Sequence, residues 1–368
     1  MSKGIIYTPR VRKSPFFEET LKYGATNFTT YNHMTMPVGY TTPEQEYQSL
    51  INDVTLWDVA AERQVEIIGE DASKFVQYMT PRNLSTFKDN FCRYAFMTDE
   101  NGGIINDPLI LKVEDMKWRI CIADSDVLLY AKGIADSMKL RVKIHETNIS
   151  TLAVQGPKSL DVMKKVFGDE ISKLKFFNFN YYKFEGIDFM ISKSGFSKQG
   201  GYEIYVENSK SGLKLYDYII KIGNEYNLKP GCPNVIERIE GALLSYGNDM
   251  DNNDNPFECG LDKYINLESN IEFLGKKALQ KVKLEGIKRK LMGVKINEKN
   301  INLTSELKLV DENKNTVGYL RSAAYSPKFK MIVGIAMINL DYCKDSQNFK
   351  ININNKEASG SVCSLPMN

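Results

Sequence analysis

Histidine is nearly absent from this 368-residue chain: only His33 and His145 occur, far apart in sequence. A histidine-rich metal centre and a histidine-based nucleophilic triad are thereby excluded, and no metal site is expected. The six cysteines (Cys92, Cys121, Cys232, Cys259, Cys343 and Cys363) are scattered with no C-x-x-C pair, so they read as reduced thiols in a cytoplasm. No apolar run approaches the ~20 residues that cross a bilayer. Met1–Ile6 lacks the apolar stretch of a secretory leader. The formal charge of +2 gives no electrostatic case for nucleic acid or an anionic membrane as partner. G-x-G-x-x-G after a strand and G-x-x-x-x-G-K-[ST] are both missing, which leaves dinucleotide and P-loop readings without support. The Asn101–Asp107 turn fails the spacing of a calcium loop.

What is present is a soluble globular pattern, 42% hydrophobic and 26% charged, long enough for two or three domains. Residues 1–40 read as irregular. Thr42-Pro43-Glu44-Gln45 is a helix start, with Thr42 as N-cap, and Tyr47, Leu50, Ile51 and Val54 follow at helical spacing. Val65–Ile68 reads as a strand. Asp71 is placed to cap a helix whose stripe is Ala72, Phe75, Val76 and Met79. Residues 92–124 are β-rich. Helices are predicted over 158–167, 209–226 and 235–246, and strands near 150–155 and 186–192. Asp251–Pro256 reads as a polar linker, and short strands from about 288 onward predict a small all-β C-terminal domain.

The stretch Ser194-Gly195-Phe196-Ser197-Lys198-Gln199-Gly200-Gly201-Tyr202-Glu203-Ile204 is the chemical focus. Its glycines permit backbone shapes that a Cβ resists, and a strand follows. Alternation puts Tyr202, Ile204 and Val206 on one face and Glu203 and Tyr205 on the other. A carboxylate there suits the two N–H donors of a flat, nitrogen-rich ring; a hairpin with a surface Glu is the plainer reading. Asp107 stands at the start of the strand Leu109–Leu111, where it either projects into a cleft or caps its turn. Arg238, on the edge of a helical stripe, needs an acceptor, either a carboxylate or a ligand anion. Some of the many tyrosines and phenylalanines can offer ring faces to a cationic ligand.

Taken in order, these segments resemble the aminomethyltransferase (glycine cleavage T-protein) family. The matching pieces are Met36-Pro37-Val38, Trp57-Asp58-Val59, Gly102–Asp107, Ala153–Pro157, the Gly-rich stretch, Arg238-Ile239-Glu240, Tyr246–Asp249, Phe273–Leu279 and Ser326-Pro327. The resemblance implies an α+β fold of three domains in a ring, with tetrahydrofolate in a central channel and a small C-terminal β-barrel. It assigns residues 1–55 and 145–255 to a discontinuous folate-binding domain and 56–144 to a second α+β domain. Residues 256–285 would be a connector and 286–368 the barrel. It implies that Glu203 holds the pterin edge, that Asp107 lies near the reacting nitrogens, and that Tyr94, Tyr246 and Arg238 contact the cofactor. A homodimer is compatible with it.

Departures from the family pattern bear on the substrate. Asn106 stands where an Asp is usual, Asn234 where aminomethyltransferases carry an Arg, and Tyr31-Asn32-His33-Met34-Thr35 replaces F-G-G-W. Such a pattern is similar to the branch that demethylates dimethylsulfoniopropionate. The function implied is methyl transfer from that sulfonium to N5 of tetrahydrofolate. The alternatives are aminomethyl transfer in glycine cleavage and a non-catalytic folate-binding regulator. The last is disfavoured because Lys198–Glu203 lacks the Cys of its K-G-C-Y-x-G-Q-E motif.

Overall fold

A computed structural model describes residues 8–367; Met1–Ile6, read above for a leader, lies outside them. Two open sheets and a closed barrel organise the chain. The first sheet runs Phe179–Phe184, Ile187–Ser192, Gly201–Val206, Ser150–Gln155, Thr55–Asp58 and Lys229–Gly231. Its alternating apolar residues, among them Leu152, Val154, Tyr202, Ile204 and Val206, bury one face under helices Ser159–Phe167 and Ser209–Gly223. The second sheet runs Lys143–Glu146, Gln64–Ile68, Lys117–Cys121, Leu109–Glu114 and Phe91–Tyr94. Val65, Ile67, Trp118 and Ile120 meet Phe75 and Val76 of helix Ala72–Tyr78 and Ala131 of helix Val127–Ser137. The chain passes between the two sheets at residues 58–64 and 146–150.

The remaining faces of these sheets meet each other. Cys92, Leu111 and Cys121 from the second sheet share a cluster with Phe179, Met190 and Tyr205 from the first. Glu203 and Tyr205 lie on the same face of their strand, so sheet alternation alone delivers Glu203 to this junction. From Arg289 to Cys363 six strands close into a barrel, which removes every free edge. The barrel is tied on by buried charge. Asp254 accepts from Arg289 at 2.9 Å and from Arg321 at 2.6 Å. Asp249 accepts from Arg238 at 2.7 Å and from the Ser322 hydroxyl.

Several local expectations change. The irregular N-terminal region contains a helix, Phe17–Lys22, and a hairpin, Asn27–Tyr31 with Met34–Gly39. Its two-residue turn puts Asn32 and His33 at φ 47° and 58°, the left-handed pair that matches strand twist. Thr42 caps its helix as predicted, accepting from the Gln45 amide at 3.3 Å. Asp71 does not cap: its carboxylate is taken by the Arg141 backbone amide at 2.8 Å. The predicted 235–246 helix stops at Glu240, where Gly241 is followed by Ala242 at φ 53° and the Leu243 amide closes on the Arg238 carbonyl. The "linker" 251–256 holds fully buried Asp254, because a polar turn is also where a side chain can reach two arginines of the barrel. Among the described residues no helix is long and apolar enough to cross a membrane, and all six cysteines are free.

Candidate active site

Glu203 is buried in the middle of its strand, paired with Ala153 on one side and Ser192 on the other. It is therefore not a surface residue. Its Oε2 accepts from the hydroxyls of Ser194 (2.5 Å), Tyr205 (3.2 Å) and Ser192 (3.4 Å). Oε1 meets no donor among the described residues. Burial raises the Glu203 pKa, and the three hydroxyls pull it back only in part. One carboxylate oxygen is thus fixed by protein and the other left for a ligand donor.

The Gly-rich loop leading into this strand is pinned from two sides. The Gln155 amide donates to the Ser194 carbonyl at 3.1 Å and accepts from the Ser197 hydroxyl at 2.8 Å. Glu237 accepts from the Lys198 amide at 2.7 Å and the Gln199 side chain at 3.0 Å. Gly195 has φ +152°, and a Cβ there would overlap the Gln155 amide. Gly195→Ala should therefore displace Gln155 and loosen the loop, costing roughly 2–3 kcal/mol. The check is a lower thermal midpoint together with weaker folate binding in a titration of the variant.

Asp107 faces inward. Its Oδ2 accepts from the Tyr94 hydroxyl at 3.3 Å. Burial raises the Asp107 pKa well above the usual carboxylate range; Tyr94 lowers it, Asp249 raises it, and the Tyr246 backbone lowers it slightly. Tyr94 packs edge-to-face on Tyr264 with centroids 5.5 Å apart. Tyr246 reaches Asp107 from the loop after helix Val235–Glu240, held by the Ser245 amide on Asp249 at 2.8 Å and the Gly247 amide on the Met250 carbonyl at 2.8 Å. Asp107, Tyr94 and Tyr246 are thus brought together. Arg238 takes the first of its two weighed roles: its guanidinium sits on Asp249 and on the Ser322 hydroxyl (2.9 Å), behind Tyr246 rather than at the site.

Asn106 explains one lost carboxylate. Its Nδ2 donates to the Ala123 carbonyl at 3.0 Å and to the Ser125 hydroxyl at 2.8 Å, while its Oδ1 accepts from the Ala123 amide at 3.0 Å. A carboxylate cannot donate, so only an amide completes this clamp.

Glu62 escaped the sequence reading, and Tyr31 entered it only as one of many aromatics and as part of the segment that departs from the family. Glu62, three positions after the Trp57-Asp58-Val59 motif, lies within electrostatic reach of both Glu203 and Asp107. It keeps partial exposure although it lies deep among protein atoms, as expected of a side chain lining an interior space. Tyr31 comes from the N-terminal hairpin, whose tip is locked by Asn32: its backbone amide donates to Asp124 at 2.7 Å and its side chain to the Ala61 carbonyl at 3.0 Å. Burial and the charges of Glu62, Asp107 and Asp124 push the Tyr31 phenol up. Among the described residues no lysine or arginine forms an ion pair with Glu62, Asp107 or Glu203. The only sequence signal was position: Tyr31 sits in the segment that departs from the family, and Glu62 follows a family motif.

The crowding has a pH consequence. Burial, then Glu203 and Asp107, push the Glu62 carboxyl up to about 8 from 4.5. The folded chain holds a proton that the unfolded chain releases above ordinary carboxylate pH, so this contribution to stability is complete below about pH 4.5 and lost as pH rises to about 8. Glu62→Gln cannot ionise and should melt above the wild type at pH 9, by roughly 1–3 kcal/mol in stability after allowing for solvent in the site, and equal to it at about pH 4. Calorimetry across that range checks it.

The region before the barrel and the barrel itself each match a known family description. The GCVT N-terminal domain covers residues 16–269, and the glycine cleavage T-protein C-terminal barrel domain covers 289–367. The chain belongs to the glycine cleavage T-protein family. That makes it a folate-dependent transferase, and Glu203 with its unpaired Oε1 fits such a cofactor. Within this family it is 37% identical to the dimethylsulfoniopropionate demethylase DmdA of Ruegeria pomeroyi over 330 residues, 90% of each chain. It is 30% identical to an aminomethyltransferase of Thermoanaerobacter pseudethanolicus over 361 residues, 96% of each chain. The crystal structure of aminomethyltransferase T from Bartonella henselae superposes with a TM-score of 0.86 at 20% identity, covering 97% of this chain and 98% of that one. The T-protein fold thus accounts for both sheets and the barrel.

Proposed function

We propose that this T-protein family member transfers a methyl group from dimethylsulfoniopropionate to N5 of tetrahydrofolate, releasing methylthiopropionate. The observation that carries the reading is the grouping of Tyr31 with Glu62 and Asp107, carboxylates within electrostatic reach of a tyrosine and paired with no lysine or arginine among the described residues. That environment favours a cationic donor. The 37% identity to a demethylase of that substrate supports it.

Glu203 Oε1 would accept from the pterin edge, with Tyr94 and Tyr246 lining the path. Bound tetrahydrofolate would supply the N5 lone pair that takes the methyl carbon, while the S–C bonding pair stays on sulfur as a neutral sulfide. Tyr31 and Glu62 would hold the sulfonium against that position, within the ~3–3.5 Å of a near-attack geometry. The Asp107 carboxylate, whose pKa burial raises well above the usual carboxylate range, would take the proton that N5 gives up. The sheet junction around Cys92, Cys121 and Met190 excludes water from one side. The free thiols fit a reducing cytoplasm.

Purified protein, tetrahydrofolate and dimethylsulfoniopropionate should yield 5-methyltetrahydrofolate and methylthiopropionate in equal amounts. Absence of both would sink the reading. The second reading, aminomethyl transfer from a lipoyl carrier, rests on the 28–30% identity to aminomethyltransferases. It predicts ammonia release with a loaded carrier protein. Tight folate binding with no turnover on any donor would point to the regulator instead.

A further inference from the structure

Apart from exposed Arg10, every arginine the structure describes sits on a carboxylate except two, Arg82 and Arg93. Both are half-buried; burial lowers the Arg82 pKa, and the like charge of Arg93 adds to that lowering. Arg82 donates to the Tyr94 carbonyl, and its plane lies over the Tyr264 ring, 4.9 Å from the centroid. Arg93 donates to the Cys92 and Phe177 carbonyls, each at 2.6 Å, and lies over Phe91 at 4.7 Å. Each guanidinium carries five N–H donors in a fixed fork. Carbonyl contacts on one nitrogen and aromatic faces hold the planes and leave most of those donors unspent. Partly desolvated cations without a counter-charge are costly unless an anion comes to them. Tyr94 ties the pair to the site, because its carbonyl holds Arg82 while its hydroxyl holds Asp107.

We propose that Arg82 and Arg93 form a carboxylate-binding subsite beside Tyr94, taking a ligand carboxylate in forked hydrogen bonds. The inference rests on the demethylase reading for its two sources of carboxylate: the glutamyl tail of the folate and the carboxylate of the methyl donor. Geometry favours a forked partner over a point contact, since both groups are planar and already oriented.

The test uses the full chain with Arg82→Gln, Arg93→Gln, and the lysine variants Arg82→Lys and Arg93→Lys. Three quantities are read: the dissociation constants of tetrahydrofolate and of tetrahydropteroate, which lacks the glutamate, and the KM for dimethylsulfoniopropionate. If the tail is the ligand, each Gln variant weakens tetrahydrofolate about tenfold and leaves tetrahydropteroate and the donor KM unchanged. If the donor carboxylate is the ligand, its KM rises about tenfold and folate affinity holds. The lysine variants, keeping charge but losing the fork, should lose about threefold in the same column, and they carry the test where a Gln variant folds poorly. All three quantities within twofold of wild type, in variants of unchanged melting temperature, overturn the subsite. A wild type that neither binds folate nor turns over the donor refutes the function reading separately. The subsite is then tested with glutarate, which should raise the wild-type melting temperature and not that of Arg82→Gln; no rise in the wild type overturns it.

Discussion

Asp107→Asn is expected to cut turnover roughly 10²- to 10³-fold, the scale seen when one preorganised electrostatic group is removed from a site, while tetrahydrofolate affinity stays within a fewfold. The substitution keeps size and can still meet the Tyr94 hydroxyl, so the local packing survives. In the proposed methyl transfer it would remove the negative charge and the proton acceptor where cationic charge must be dispersed. A sulfonium already has a good leaving group, so the loss falls on charge stabilisation and proton removal, not on bond cleavage. The effect should therefore appear in kcat rather than in the donor KM. The wild-type rate should rise with pH as the Asp107 carboxyl ionises; its raised pKa places that limb above the ordinary carboxylate range. The Asn variant should lose the limb. Single-turnover rates over a pH series check both statements.

Arg238→Met is expected to destabilise the fold by about 3–5 kcal/mol. Asp249 is fully buried, and among the described residues Arg238 is the only cation on its carboxylate. Without the guanidinium, the carboxylate keeps the Ser322 hydroxyl and the Ser245 amide, which do not cancel a buried charge. The same bonds join the 245–250 loop to the barrel strand Thr316–Ser326, so Tyr246 should shift and activity should fall as well. The double variant Arg238→Met, Asp249→Leu removes both charges and should recover much of the loss. Urea unfolding followed by tryptophan fluorescence checks the order wild type, double variant, single variant. With several units in the chain, the midpoint of the first transition is the quantity to compare.

Much of this site could be read from residue order because its parts are strand-borne. Period-two alternation fixed which face Glu203 takes, and the segment around Asp107 was placed at a strand start by its flanking glycines and apolar run. The barrel was legible from short strands and turns alone. What stayed hidden depended on contacts between segments distant in sequence. Tyr31 comes within electrostatic reach of Glu62 and Asp107 on a hairpin that Asn32 hooks to the Ala61 carbonyl and Asp124. Arg238 looked equally fit for a ligand until its partner eleven residues on turned back through a loop that helical spacing had obscured. Asp254 looked like a linker residue because nothing local marks a turn whose carboxylate reaches two barrel arginines. The Asn106 substitution read as a lost charge, and became a bidirectional backbone clamp once Ala123 was beside it.

Use of a sulfonium donor can be told from use of an ammonium donor in a single experiment. Purified protein and tetrahydrofolate are offered dimethylsulfoniopropionate in one reaction and glycine betaine in another, each with a deuterated methyl group. Label in 5-methyltetrahydrofolate is followed by mass spectrometry. Labelled methylfolate is expected from the sulfonium alone, because a neutral sulfide leaves far more readily than an amine and the site would supply positioning and charge rather than leaving-group activation. Labelled methylfolate from neither donor, with tetrahydrofolate still bound at Glu203, would contradict it and leave aminomethyl transfer as the reaction to pursue.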